Sequence, residues 1–180
     1  SFNPNPKTMK KTNILLTALF LLIGMASSHA QTTMEEFLAK WENSKAFTLE
    51  AIDKMPDDKL DDKLHESAMS FREQIKHIGA AAANISKGFL LGGEMDFDPS
   101  AKPQTKAEMK EFINNAYDYG KKTIASLTEA QLSEKIDSFA GKITRRQMVG
   151  LLDDHTTHHR GAAIAYIRAQ GIDPPGYRGI

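Results

Sequence analysis

The chain has 180 residues, 23 of them basic and 23 acidic, with 41% apolar and 26% charged positions, which is the composition of one ordinary globular domain. It contains no cysteine, which excludes disulfide staples, a thiol nucleophile and a thiolate zinc site, so any metal must be held by His, Asp or Glu.

Met9-Lys10-Lys11-Thr12-Asn13 precedes an apolar run from Ile14 to Ala26, with Ser28 and Ala30 at small-residue positions. This is the pattern of a secretory signal peptide, with cleavage expected after Ala30. The run holds about 13 apolar residues where a bilayer span needs roughly 20, so no stable membrane anchor is expected after cleavage. Residues 1–8 read as an extension ahead of the start at Met9. Residues 1–30 are therefore assigned to the extension and signal segment, and 31–180 to one folded domain in a periplasmic or secreted protein. Removing 1–30 takes away Lys7, Lys10 and Lys11 and no acid, leaving 20 basic against 23 acidic residues, a net charge of −3. A mildly acidic chain is a poor polyanion binder, which argues against nucleic acid as a partner.

Five pairs of Ser or Thr followed three residues later by Glu or Gln have the form of capping boxes: Thr33/Glu36, Ser70/Glu73, Thr105/Glu108, Thr128/Gln131 and Thr144/Gln147. Each predicts a helix start, because hydroxyl and longer side chain satisfy backbone N–H groups reciprocally. Apolar spacing predicts the lengths. The first helix carries Met34, Phe37, Leu38, Trp41, Leu49, Ile52 and Met55 and ends near Pro56. The second carries Phe71, Ile75, Ile78, Ala82, Ile85 and Phe89 and ends before Gly92-Gly93. The third runs through Met109, Phe112, Ile113, Ala116, Gly120, Ile124 and Leu127. A helical turn over 128–135 precedes the fourth, from Arg145 to Gln170, stopped by Gly171 and Pro174-Pro175. No alternation predicts a strand, so the expected class is all-α, a four-helix bundle. The connections 57–69 and 93–104 are long for a minimal bundle, and loops of that size often carry function or cover a site.

Six histidines are present, and three fall within residues 155–159. At about 100° per residue, His155 and His159 point about 40° apart, whereas His158 and His159 diverge by about 100°. Met148, Leu151, Leu152, Ala162, Ala163 and Tyr166 define an inward sector centred between His155 and His159, so these two form the chelating i, i+4 pair and His158 lies on the flank. His65 in a loop and His77 in the second helix are the remaining candidates, since His29 leaves with the signal segment. His77 shares a face with the small or polar residues Ser70, Gln74, Ala81, Asn84 and Gly88. One His pair plus a facing His gives three nitrogen ligands and an open position; scattered, hydrogen-bonded histidines are the structural alternative.

The tail His155-Thr-Thr-His-His-Arg-Gly-Ala…Tyr166-Ile-Arg-Ala-Gln-Gly-Ile-Asp-Pro-Pro175 resembles the closing helix of the DinB-like superfamily of metal-binding four-helix bundles. Ser70-Phe-Arg-Glu-Gln-Ile-Lys-His77-Ile is similar to its second-helix segment, and the resemblance spans about residues 33–176. It implies metal ligands at His77, His155 and His159, a divalent ion (Zn²⁺ or Ni²⁺ first, Fe²⁺ or Mn²⁺ next), and a homodimer. Ala162 departs from the Gln that many members carry after Arg-Gly, which puts in doubt any polar contact made there.

Around the trio, Glu73 lies one turn before His77 and is a candidate general base, although its capping box is the simpler explanation. Asp154 is placed to pair with His158 on the surface. Tyr166 and Trp41 are expected in the core, and Arg160 on the surface or in an interhelical ion pair. Such an ion activates water, a substrate oxygen or a thiol. The resemblance implies either transfer of small thiols such as bacillithiol or mycothiol, or metal-dependent hydrolysis. An export signal argues against thiol transfer, because such thiols are kept reduced chiefly in the cytosol. The expectation is therefore an exported hydrolase-like enzyme acting on a small molecule, with two alternatives: a bundle that binds metal or a small ligand without turnover, and a thiol-dependent S-transferase if the chain is cytosolic.

Overall fold

The first helix, α1, spans Met34–Lys54, directly after Thr33. The computed structural model describes residues 32–179, so the expected signal segment, its cleavage point and His29 lie outside the described residues. A 3-10 turn at Asp57–Lys59 leads to α2 (Phe71–Phe89), followed by α3 (Lys106–Ala125), the short α4 (Glu129–Ser133), strands β1 (Lys135–Ser138) and β2 (Gly141–Thr144), and α5 (Arg145–Ala169). Ser70, Thr105, Thr128 and Thr144 each form a complete capping box and open α2, α3, α4 and α5 at the expected residues. No helix among the described residues is long and apolar enough to cross a membrane.

The four long helices close a ring in which α1 packs on α3, α3 on α2, α2 on α5, and α5 back on α1. Inside it lie Trp41, Ile52, Phe71, Ile75, Ile78, Ile113, Tyr117 and Ile167, all fully buried. Burying a side chain of this size stabilises by about 1.5–3 kcal/mol before chain entropy is counted. Gly79 brings α2 and α3 together, since a Cβ there would lie 2.5 Å from the Phe112 ring. Trp41 is a core residue as expected, its Nε1 donating to the Tyr117 carbonyl at 3.0 Å. So is Tyr166, whose hydroxyl bonds the Met69 carbonyl and ties the 57–70 loop to α5.

The all-α expectation needs one correction. Residues 135–144 form an antiparallel hairpin with Ile136 opposite Ile143 and Gly141 at φ 89°, a left-handed conformation that suits glycine. Each four-residue strand carries a single Ile, too few apolar positions to display alternation. Buried Arg145 fastens the hairpin to the bundle by bonding the Phe89 carbonyl at 3.1 Å and pairing with Glu134. A second difference is at the end of α2, where Leu91, rather than a glycine, takes the left-handed conformation at φ 65°.

Candidate metal centre

Two helices deliver the three histidines. His77 stands in the middle of α2, and His155 and His159 sit one turn apart on the face of α5 that packs against it. One nitrogen from each lies within 4.8 Å of the others. His77 Nε2 and His155 Nε2 are 3.0 Å apart, and the three ring centroids are separated by 4.4–4.9 Å. His155 and His159 are the two that helical phase placed on one face, and His77 is the facing histidine that the resemblance implied. His158 is exposed, its ring edge-on to His159 at 4.9 Å, and His65 is an exposed loop residue bonded to Ser67.

The donor set fits a divalent cation. Metal–nitrogen bonds of about 2.0–2.1 Å in tetrahedral geometry place nitrogen pairs about 3.3–3.4 Å apart, a few tenths of an ångström wider than the observed pair. Two neutral rings of complementary tautomer satisfy this contact as an N–H···N hydrogen bond, whereas two bare lone pairs facing each other repel unless a cation sits between them. The protein disfavours the doubly protonated, cationic form of each ring. Burial lowers the pKa of His77, with Lys76 adding to it, and burial together with the neighbouring histidines lowers His155. His159 is lowered to about 4, chiefly by burial and then by His77, His155 and His158. All three rings are therefore neutral near pH 7, the form that ligates metal.

The residue that sequence reasoning did not assign is Gln74. It is buried one turn before His77 on the same face of α2, and its Oε1 accepts from His159 Nδ1 at 2.6 Å. That bond places the His159 proton on Nδ1 and leaves Nε2 free as a ligand. The available signal was the Gln-x-x-His spacing, which puts both side chains on the line aimed at α5.

Glu73 is engaged elsewhere. Its Oε2 accepts from Ser70 N at 2.6 Å and lies 3.4 Å from Lys63 Nζ, and the Ser70 backbone N–H is the main reason that its pKa is lowered. Asp154 and His158 are both exposed, and no bond links them. Arg160, expected on the surface or in an interhelical ion pair, is 7% exposed and lies between helices without a carboxylate partner among the described residues. Its partners are the hydroxyls of Ser44 and Thr157 and the face of the Phe47 ring. The reason lies in its phase: it points about 100° from His159, into the contact with α1. The ion pair in that contact is Lys40–Asp153 at 2.6 Å, where Asp153 is buried and its Oδ1 has no hydrogen-bond partner.

The profile of the DinB family matches residues 26–179. The Bacillus subtilis protein YjoA is 34% identical over 133 residues, covering 69% of this chain and 82% of its own length. Its crystal structure, a DinB-like protein, superposes with a TM-score of 0.65 at 25% identity, covering 79% of this chain and 97% of that one. A DinB-like protein from Bacillus cereus superposes with a TM-score of 0.68 at 18% identity, covering 80% and 97%.

Proposed function

This chain belongs to the DinB family, and from that premise we propose that it is an exported, metal-dependent, hydrolase-like enzyme acting on a small molecule. The observation that carries this reading is the convergence of His77, His155 and His159, three neutral imidazoles from two helices. An all-nitrogen set suits zinc or nickel ahead of iron or manganese. The bound ion supplies Lewis-acid activation of water or of a substrate oxygen. The chain does the rest: α2 and α5 fix the ring positions, partial burial keeps the rings unprotonated, and Gln74 holds His159 in the tautomer that presents Nε2. Export rests on Lys10-Lys11, the short apolar run and the Ser28/Ala30 pair. N-terminal sequencing of the native protein is expected to start near Gln31. An intact cytosolic chain would remove the export claim and favour thiol transfer.

A second reading, a bundle that binds metal or a small ligand without turnover, is favoured by Glu73, because the candidate base is committed to its cap and the trio includes no carboxylate. A homodimer is carried with either reading. The test is hydrolysis of a panel of esters, amides and phosphoesters by metal-loaded protein. Turnover abolished by chelator and restored by metal supports the enzyme; stoichiometric metal with no turnover across the panel supports the binding protein.

A further inference from the structure

The face of α5 turned toward α1 holds a second polar site that the histidines do not use. Thr157, Gly161, Ile164 and Arg168 form one stripe at i, i+4, i+7 and i+11, and they floor a cavity of about 280 Å³ that Arg160 also lines. Gly161 makes the dent, since a Cβ built there meets nothing within 4 Å. Phe47 of α1 and Tyr177 of the C-terminal tail wall the cavity, their rings edge to face at 6.2 Å. The tail is held over it by Arg178, which pairs with Glu50.

The charge in this cavity is one-sided. Arg160 is more than nine-tenths buried, yet its polar partners are two neutral hydroxyls. A guanidinium stays charged in a protein, and a buried charge is costly unless it is paired. Among the described residues neither Arg160 nor Arg168 has a carboxylate partner, and Asp153, about two turns toward the start of α5, is taken by Lys40. Residues 1–31 contain no Asp or Glu and supply no counter-charge. Two guanidiniums without a carboxylate partner among the described residues and a hydroxyl, set beside Phe47, Ile164, Pro174 and Pro175, match a molecule with an anionic head and an apolar body. The planar fork of arginine suits a carboxylate.

We propose that this cavity, between α5, Phe47 and the C-terminal tail, binds a small organic carboxylate through Arg160 and Arg168. Arg160 is built into the α1–α5 contact, so the deciding variants are Arg168→Ala, on an exposed side chain, and Gly161→Leu, which fills the dent. The probe is benzoate, titrated calorimetrically into the full chain with benzamide and inorganic phosphate as controls. Saturable benzoate binding is expected, at least tenfold tighter than benzamide or phosphate. It should weaken at least tenfold in Arg168→Ala and vanish in Gly161→Leu, while metal content and melting temperature stay as in the wild type. Absence of saturable binding, equal binding of benzamide, equal binding of phosphate, or unchanged affinity in both variants would each overturn the proposal.

Discussion

One helix, α5, faces two polar regions whose needs are opposite. Toward α2 it presents His155 and His159, neutral rings whose nitrogens converge with those of His77 in a set that could hold a cation. Toward α1 it presents Arg160, a buried cation among hydroxyls and an aromatic face, a setting that favours an anion. Helical phase alone separates the two, since His159 and Arg160 are adjacent in sequence and about 100° apart in direction. The lesson is that an imidazole cluster is prepared by keeping protons off, whereas a buried guanidinium has no neutral form and must find a partner.

The comparison breaks most readily on the histidine side. His77→Ala, His155→Ala and His159→Ala each remove one of three ligands and should lower metal affinity by on the order of 100-fold or more, beyond the roughly 10–100-fold typical of an outer partner. Metal content per chain after dialysis against a weak chelator reads this, with circular dichroism reporting the helices. His158→Ala should keep most of its metal; an empty His158→Ala site with a full His159→Ala site would invert the assignment of phases.

Gln74→Leu comes next. It leaves every ligand in place but frees the His159 tautomer, and a roughly 10–100-fold loss of metal affinity is expected. A competition titration against a coloured chelator measures it. An unchanged constant would mean that the 2.6 Å contact does not orient the ring.

On the α1 side, Lys40→Met strands the buried Asp153 carboxylate, whose Oδ1 already has no partner. Lys40 is 45% exposed, so the full cost of breaking a buried pair is discounted to about 1–2 kcal/mol of stability. Urea denaturation should show that loss with metal content unchanged, which keeps the two faces of α5 independent.

The smallest effect is on pH dependence. His159 has a folded pKa of about 4 against about 6.5 unfolded, and His77 and His155 are lowered as well. Below pH 6.5 the unfolded chain takes up protons that the folded chain refuses, so this contribution to stability is fully present above pH 6.5 and is lost as pH falls toward 4. The three residues are only partly buried, so the slope is modest. The urea midpoint of metal-free protein should fall between pH 6.5 and 5, and less so in His159→Leu. Identical slopes would remove burial of the trio as the cause.

Much of this was legible in the chain because it is local. The Ser/Thr-x-x-Glu/Gln pairs are satisfied within one turn, so they located the starts of α2 to α5. Residues 155 and 159 share a face of any helix, so their pairing needed no tertiary information. Gln74, Arg160 and Asp153 were harder, since their roles depend on which helix packs opposite, and sequence spacing does not encode that. Arg160 was expected on the surface or in an interhelical ion pair because charge usually goes there, and the approach of Ser44 and Phe47 from α1 buries it among neutral groups instead. The hairpin escaped notice because one Ile per strand is too weak a pattern.

The central claim is that His77, His155 and His159 jointly hold one divalent ion. X-ray absorption at the zinc edge, on protein purified without a histidine tag and loaded with one equivalent of zinc, tests it most directly. The account predicts one tightly held zinc per chain with three imidazole nitrogens at about 2.0–2.1 Å, reduced to two in His77→Ala. Zinc that washes out, or a coordination shell that His77→Ala leaves unchanged, would contradict it.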